Sequence, residues 1–395
     1  MNSRQLFFEH VAQTSSVPPA LEITSAEGSM LIDVYGKKFI DLISGISVSS
    51  IGHNHPEINK AIKEQVDKGL HFMVYGEFIL EPQVKLAELL ASILPKKLSC
   101  TYFVNSGSEA VEGALKLAKR FNGRTEIISF SNGYHGSTHG ALSVTGNENL
   151  KNAFRPLLPD IRVLEFDNVL ELKNISERTS CVIIETIQGE AGAIVPEKNF
   201  MRTLRQRCNE TGTLFILDEI QVGCGRTGKM FAYEHFDVVP DILLVGKAFG
   251  GGMPLAAFIS SKETMSVLSD NPALGHITTF GGHSVSCAAS FALLNIIIRD
   301  KLTEQAAEKE NLFRLNLKHT LIKNISGCGL LLAVEFENDD LCKRIISQCI
   351  ENGVIVDSFL FAPECMRIAP PLNISHEELI ESCKIINQSI EQIKN

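Results

Sequence analysis

The sequence predicts an α/β fold in which a mostly parallel, seven-stranded sheet is covered by helices and joined to a smaller α+β domain. Three observations lead there. From about residue 99 to residue 261, seven short β-branched or aromatic runs (TYFVNSG, EIISFS, RVLEF, CVIIET, LFILDE, ILLVGK and LAAFIS) alternate with polar or helix-periodic stretches. The 395 residues, 44% of them hydrophobic, are enough to bury a large core and favour two packed units. No repeat, low-complexity tract or Gly/Ser/Pro linker divides the chain, so a boundary must lie inside packed structure.

Taken in order, the first element lies between residues 20 and 45. There LEITSAEGSMLIDVYGKKFIDLI sets two alternating runs around Gly36-Lys37, as in a β-hairpin. Beyond about residue 300, helical segments are interleaved with the short runs LLLAVEF, VIVDS and MRIAPPL. These two ends, 1–45 and 300–395, are expected to form the smaller domain together, around a large domain of 46–299.

Within the large domain, ligands of an open α/β sheet sit at the C-terminal ends of its strands, so the residues ending each run matter most. TYFVNSGSEAVEGALKLAKRFNG passes from strand through a glycine turn into a helix. Ser106 and Glu109 have capping-box spacing, Val111, Leu115 and Ala118 share a face, and Gly123 stops the helix. The amides of Gly107 and Ser108 then face an anion. CVIIETIQGE ends in Glu185, Gln188 and Glu190, and LFILDEIQ ends in Asp218, Glu219 and Gln221. In ILLVGKAFGGGMPLAAF, Lys247 follows an apolar strand and precedes Gly250 to Gly252. A lysine buried at such an edge loses its proton readily and becomes a nucleophile.

Composition removes several functional classes. The net charge is −9 with no run of Lys or Arg, which argues against a nucleic-acid or anionic-lipid partner. Ten scattered cysteines without a Cys-x-x-Cys are expected to be reduced, buried and structural. MNSRQLFFEHVAQTSS has no apolar core of signal-peptide length, and the uncharged stretch from Ser284 to Ile298 is too short to span a bilayer, so a cytoplasmic location is expected. Gly223-Cys-Gly225-Arg-Thr-Gly228 fits a dinucleotide fingerprint by spacing but opens no amphipathic helix, and it is read as a flexible loop near the site. His53-Asn-His55 lacks a third ligand at useful spacing and reads as a turn, leaving no metal site.

In chain order, SGSEAVEGALKLAK, the run from Ser131 through Asn132-Gly-Tyr-His-Gly, ETIQGEAG, LFILDEIQVGCGRTGKMFAYEH, PDILLVGKAFGGGMPLAA, TTFGG and MRIAPPL resemble the class III aminotransferases over nearly the whole chain. The resemblance implies a fold-type-I, pyridoxal-phosphate-dependent enzyme akin to acetylornithine, ornithine and 4-aminobutyrate aminotransferases. It makes Lys247 the residue that holds the cofactor as a Schiff base and then shuttles a proton. Asp218 would pair with the pyridinium nitrogen and keep it protonated. Gln221 would approach the phenolic oxygen, Tyr134 would stack on the ring, and Gly107 and Ser108 would hold the phosphate. Thr279 matches a position that reaches the neighbouring subunit's phosphate, implying a homodimer with shared active sites. Arg367 matches the arginine that grips a substrate carboxylate, and Glu190 its gate.

Two departures bear on substrate. Ser137 stands where many relatives carry an arginine for a second carboxylate, and Ile46 lies near a position where ornithine-type enzymes carry tyrosine. The expected reaction moves an ω-amine, of the N-acetylornithine, ornithine or 4-aminobutyrate type, to a 2-oxo acid such as 2-oxoglutarate by a ping-pong route. The alternatives are a pyruvate acceptor or α-amino donor, an aminomutase, and a silent binding protein. The Arg367 and Glu190 pair argues against an aminomutase, and intact Lys247 and Asp218 against a silent relative.

Overall fold

The computed structural model describes residues 2–394. The seven expected runs form β4 (Cys100–Val104), β5 (Glu126–Phe130), β6 (Ile161–Leu164), β7 (Thr179–Glu185), β8 (Leu214–Asp218), β9 (Ile242–Val245) and β10 (Ala256–Ser260), following β1 (Ile23–Glu27), β2 (Met30–Asp33) and β3 (Lys38–Asp41). Their order in the sheet is β4-β10-β9-β8-β7-β5-β6. β10 runs antiparallel to both of its neighbours, and β9, β8, β7, β5 and β6 pair in parallel.

The apolar runs are continuous because the central strands are buried on both faces. Ile183, Ile216, Ile242 and Leu244 point into a cluster with Val111, Ala114, Leu115 and Ala118 of the helix Gly107–Asn122. Their neighbours Val182, Ile184, Phe215, Leu217, Leu243 and Val245 point into the larger cluster on the opposite face. The helix approaches the sheet so closely that a Cβ on Gly113 would collide with the Phe258 ring. Gly123 ends it in a left-handed conformation at φ 71°.

The two ends of the chain share a sheet. After β11 (Asn324–Cys328) and β12 (Leu331–Glu335), the two-residue β13 (Val354–Ile355) pairs in parallel with β3, so that Val354 lies opposite Ile40. The hairpin of β2 and β3 turns at Gly36, with φ 80°, and Asp33 Oδ1 accepts from Tyr35 N and Lys37 N at 2.9 Å each. VIVDS is split: its last residues form β14 (Asp357–Ser358), which joins β15 (Cys365–Ile368) in the sheet β11-β12-β15-β14.

The Gly223 to Gly228 segment is not the flexible loop expected. Arg226 is fully buried and donates to Leu330 O, Pro370 O and Ser50 Oγ, tying the segment to Ser50 and to the C-terminal part of the chain. Burying a guanidinium is tolerated only with such partners. His53 Nε2 lies 2.7 Å from buried Asp41, and His55 precedes the helix Pro56–Lys68. Among the described residues no cluster of three His, Cys, Asp or Glu could hold a metal, and no helix is long and apolar enough to cross a membrane. All ten cysteines are free, and all but Cys100 and Cys328 are buried.

Candidate active site

The C-terminal ends of β4, β5, β7, β8 and β9 converge on one cavity, as the geometry of a parallel sheet dictates. Gly107, Ser108, Tyr134, Asp218, Gln221 and Lys247 all line it. After β4, extended Ser106 caps the helix by accepting from Glu109 N at 3.2 Å. Glu109 does not return the bond to Ser106; its Oε2 instead accepts from Asn105 N at 2.8 Å. The amides of Gly107 and Ser108, which have no partner inside a helix, lie on the cavity lining and make it attractive to an anion.

After β5, Tyr134 N donates to Glu185 Oε2 at 2.9 Å. Gly136 follows at φ 127°, and a Cβ there would strike Ser108 Oγ, so glycine alone lets this loop close over the helix N-terminus. Ser137 N donates to that Oγ at 3.3 Å, and the Ser137 side chain lies exposed outside the cavity lining.

Glu185 and Asp218 end adjacent strands in register with each other. Asp218 is buried; His135 Nδ1 lies 2.8 Å from Oδ2, and Ile220 N donates to Oδ1 at 3.0 Å. Burial pushes the Glu185 carboxyl up to about 7, with His135 opposing and the Asp218 charge adding to the rise. Lys247 opens the turn after β9 with φ 47°, a left-handed conformation unfavourable for a side chain that bears a Cβ, and such strain concentrates at functional sites. Burial lowers its amine below the usual lysine range, and Glu190 partly opposes this.

Gln221 links the cavity lining to a second cluster: its Nε2 donates to Glu190 Oε1 at 3.3 Å. It lies so close to the backbone that a Cβ on Gly189 would overlap its Oε1. Glu190 accepts from Arg367 Nη1 and Nη2 at 2.9 Å each, in a buried two-point pair. Burial opposes its charge, but Arg367 outweighs this and holds the carboxyl below its ordinary range. Thr279 is exposed and outside this cavity, between exposed Ile277 and Phe280.

Three neighbours given no role from sequence emerge here: His135, whose position beside Tyr134 was its only signal; Gly136; and Asp357, which had none and whose Oδ1 lies 3.1 Å from Arg367 Nε. Together the residues offer a nucleophilic amine, a carboxylate fixed by an imidazole, and open helix amides. That donor set suits an aldehyde bearing a ring nitrogen and a phosphate.

The chain matches the family model described as Aminotransferase class-III over residues 11–390, and it belongs to that family. It is similar to solved structures across nearly their whole length. These include an ornithine aminotransferase from Toxoplasma gondii with PLP in partial occupancy at its active site (28% identity, covering 99% of this chain and 95% of that one, TM-score 0.92). A transaminase from the marine bacterium Virgibacillus is 27% identical (99% and 98% covered, TM-score 0.92). An adenosylmethionine-8-amino-7-oxononanoate aminotransferase from Methanocaldococcus jannaschii is 30% identical (98% and 98% covered, TM-score 0.91). The protein is therefore a fold-type-I enzyme, and its cofactor is pyridoxal 5'-phosphate. The cavity fits that group: glycines at 107 and 136 let the backbone close on Ile220 and Ser108 where a Cβ would press on them, and amine, carboxylate and amides share one lining.

Proposed function

We propose that the enzyme moves the ω-amine of an amino acid, of the N-acetylornithine, ornithine or 4-aminobutyrate type, to a 2-oxo acid such as 2-oxoglutarate in two successive half-reactions. The observation that carries this reading is the hydrogen bond by which Gln221, on the lining of the cavity around Lys247, reaches the buried Glu190–Arg367 pair. Pyridoxal phosphate, when bound, supplies an electron sink for the bond broken at the substrate carbon. Lys247 holds it covalently through Nζ and, once freed, moves the proton at that carbon. Asp218, fixed by His135, holds the proton on the ring nitrogen. Gln221 and Tyr134 orient the ring, and the amides of Gly107 and Ser108 bind the phosphate. Arg367 binds a substrate carboxylate when Glu190 is withdrawn, and the pair closes when the donor presents only an amine.

Ser137 favours a second reading for the acceptor. An exposed hydroxyl supplies no charge for a second carboxylate, which suits a smaller oxo acid such as pyruvate. We assign residues 1–45 and 300–395 to the smaller domain and 46–299 to the larger, supported by the pairing of β3 with β13. A homodimer is supported by exposed Leu70, Phe72, Phe78 and Ile79 beside Ile277 and Phe280, a patch held together by the Tyr75 N to Thr278 O bond and the His71–Phe280 contact and adjoining Thr279. The test mixes holoenzyme with α-amino acids, ω-amino acids and N-acetylornithine separately and follows the absorbance of the bound cofactor. Conversion by ω-amine donors, and parallel lines in double-reciprocal plots with 2-oxoglutarate or pyruvate, are expected. Conversion by α-amino acids alone would overturn the ω-amine assignment.

A further inference from the structure

Arg367 is only 2% exposed, yet its guanidinium meets two carboxylates rather than one. Glu190 occupies both Nη groups, and Asp357 Oδ1 lies 3.1 Å from Nε. Phe359 covers one face, its ring centre 4.5 Å from Cζ. The two acids are attached to the fold differently. Glu190 extends from the loop after β7, and among the described residues its carboxylate's hydrogen-bond partners besides Arg367 are neutral, Leu360 N at 3.1 Å and Gln221 Nε2 at 3.3 Å, with the Lys247 charge acting on it from further away. Asp357 lies on β14, directly opposite Arg367 on β15 in an antiparallel pair. A side chain on a neighbouring strand in register keeps its partner when a loop residue moves.

With both acids ionised the cluster carries a net charge of about −1, and withdrawal of Glu190 brings it to about zero rather than to a bare cation. Among the described residues, Arg367 is the one cation paired with Asp357. Asp41 adds a further negative charge nearby, and the charged residues of the adjoining helix Asp339–Glu351 (Asp339, Asp340, Lys343, Arg344 and Glu351) are exposed.

We propose that Asp357 is a specificity-determining residue of the carboxylate site: a fixed counter-ion on Arg367 Nε that leaves only the Nη edge for substrate and weakens carboxylate binding, so that a bound acid is released when the amine-only half-reaction must follow. This rests on the reading of Arg367 as the carboxylate binder. In that reading Glu190 decides whether the site is open, and Asp357 sets how tightly the open site holds an acid.

The test uses purified holoenzyme and a probe that needs no knowledge of the true substrate: competitive inhibition by pentanoate, with pentanamide as the uncharged control. Asp357→Asn keeps the shape and an oxygen for Nε but removes the charge. Pentanoate should then bind about tenfold more tightly, pentanamide binding should stay within about twofold, and kcat should change less than KM for the acid substrate. Asp357→Glu should restore wild-type inhibition. Arg367→Leu separates the two readings. If that variant loses the preference for pentanoate over pentanamide while Asp357→Asn leaves it unchanged, the role of Asp357 is refuted and that of Arg367 stands. If Arg367→Leu keeps the preference, Arg367 is not the carboxylate binder and both readings fall. Equal tightening in Asp357→Asn and Asp357→Glu would also refute the proposal, because charge would not be the cause.

Discussion

Replacing Arg367 by leucine is the most informative perturbation of this site. The change removes two 2.9 Å bonds to Glu190 and the contact with Asp357, and leaves two acids facing an apolar side chain. Breaking a buried pair from one side costs about 3–5 kcal/mol, because the remaining charge is uncompensated. For a chain of this length that corresponds to a fall in melting temperature of about 4–6 °C. Glu190→Gln/Arg367→Leu removes the stranded charge and leaves a glutamine that can still meet Leu360 N and Gln221, so it should recover about half of that loss. Activity has its own signature. Two charge-assisted bonds to a substrate carboxylate are together worth a factor of about 100–1000 in kcat/KM, lost for acids and retained for amines without a carboxylate. Thermal midpoints and kcat/KM for the wild type, both single variants and the double variant complete the cycle. A midpoint for Arg367→Leu within about 1 °C of wild type, or a double variant no more stable than Arg367→Leu, would refute the picture of a buried charge pair.

Two further outcomes are expected. Gly136→Ala forces a Cβ against Ser108 Oγ at φ 127° and should weaken cofactor binding at least about tenfold, as measured by titrating the cofactor-free enzyme; unchanged affinity would mean that this loop does not shape the phosphate cradle. Asp357, pushed up to about 6 chiefly by burial, has a folded value above its unfolded 3.8. It therefore binds more protons in the folded state between these values, and its contribution to stability falls as pH rises from about 4 to 6 and then stays level. Relative to wild type, Asp357→Asn should gain stability across that window by at most about 3 kcal/mol, less solvent screening of the half-buried side chain. Parallel stability curves for the two proteins between pH 4 and 8 would show that the shift is absent.

How much of the site could be read from sequence follows from where its residues stand on the sheet. Asp218, Lys247 and Gly107 end apolar runs or begin the turn after them, and a parallel sheet brings such ends together whatever the loops do. Asp357 was invisible because its contact with Arg367 depends on the β14–β15 register across a six-residue excursion, which no periodicity encodes. The burial of Arg226 was equally hidden, since its partners Ser50, Leu330 and Pro370 lie far away in the chain and a Gly-rich segment resembles a mobile loop by composition. Glu109 took Asn105 instead of Ser106, a choice of one residue that spacing cannot make.

On the proposed assignment, Lys247 holds the cofactor and moves the proton. Borohydride reduction of the holoenzyme, followed by peptide mapping, tests it directly. The pyridoxyl mass should appear on the peptide containing Lys247 alone, and Lys247→Ala should show neither the label nor multiple turnover. A label on another lysine, or normal turnover by Lys247→Ala, would contradict the assignment.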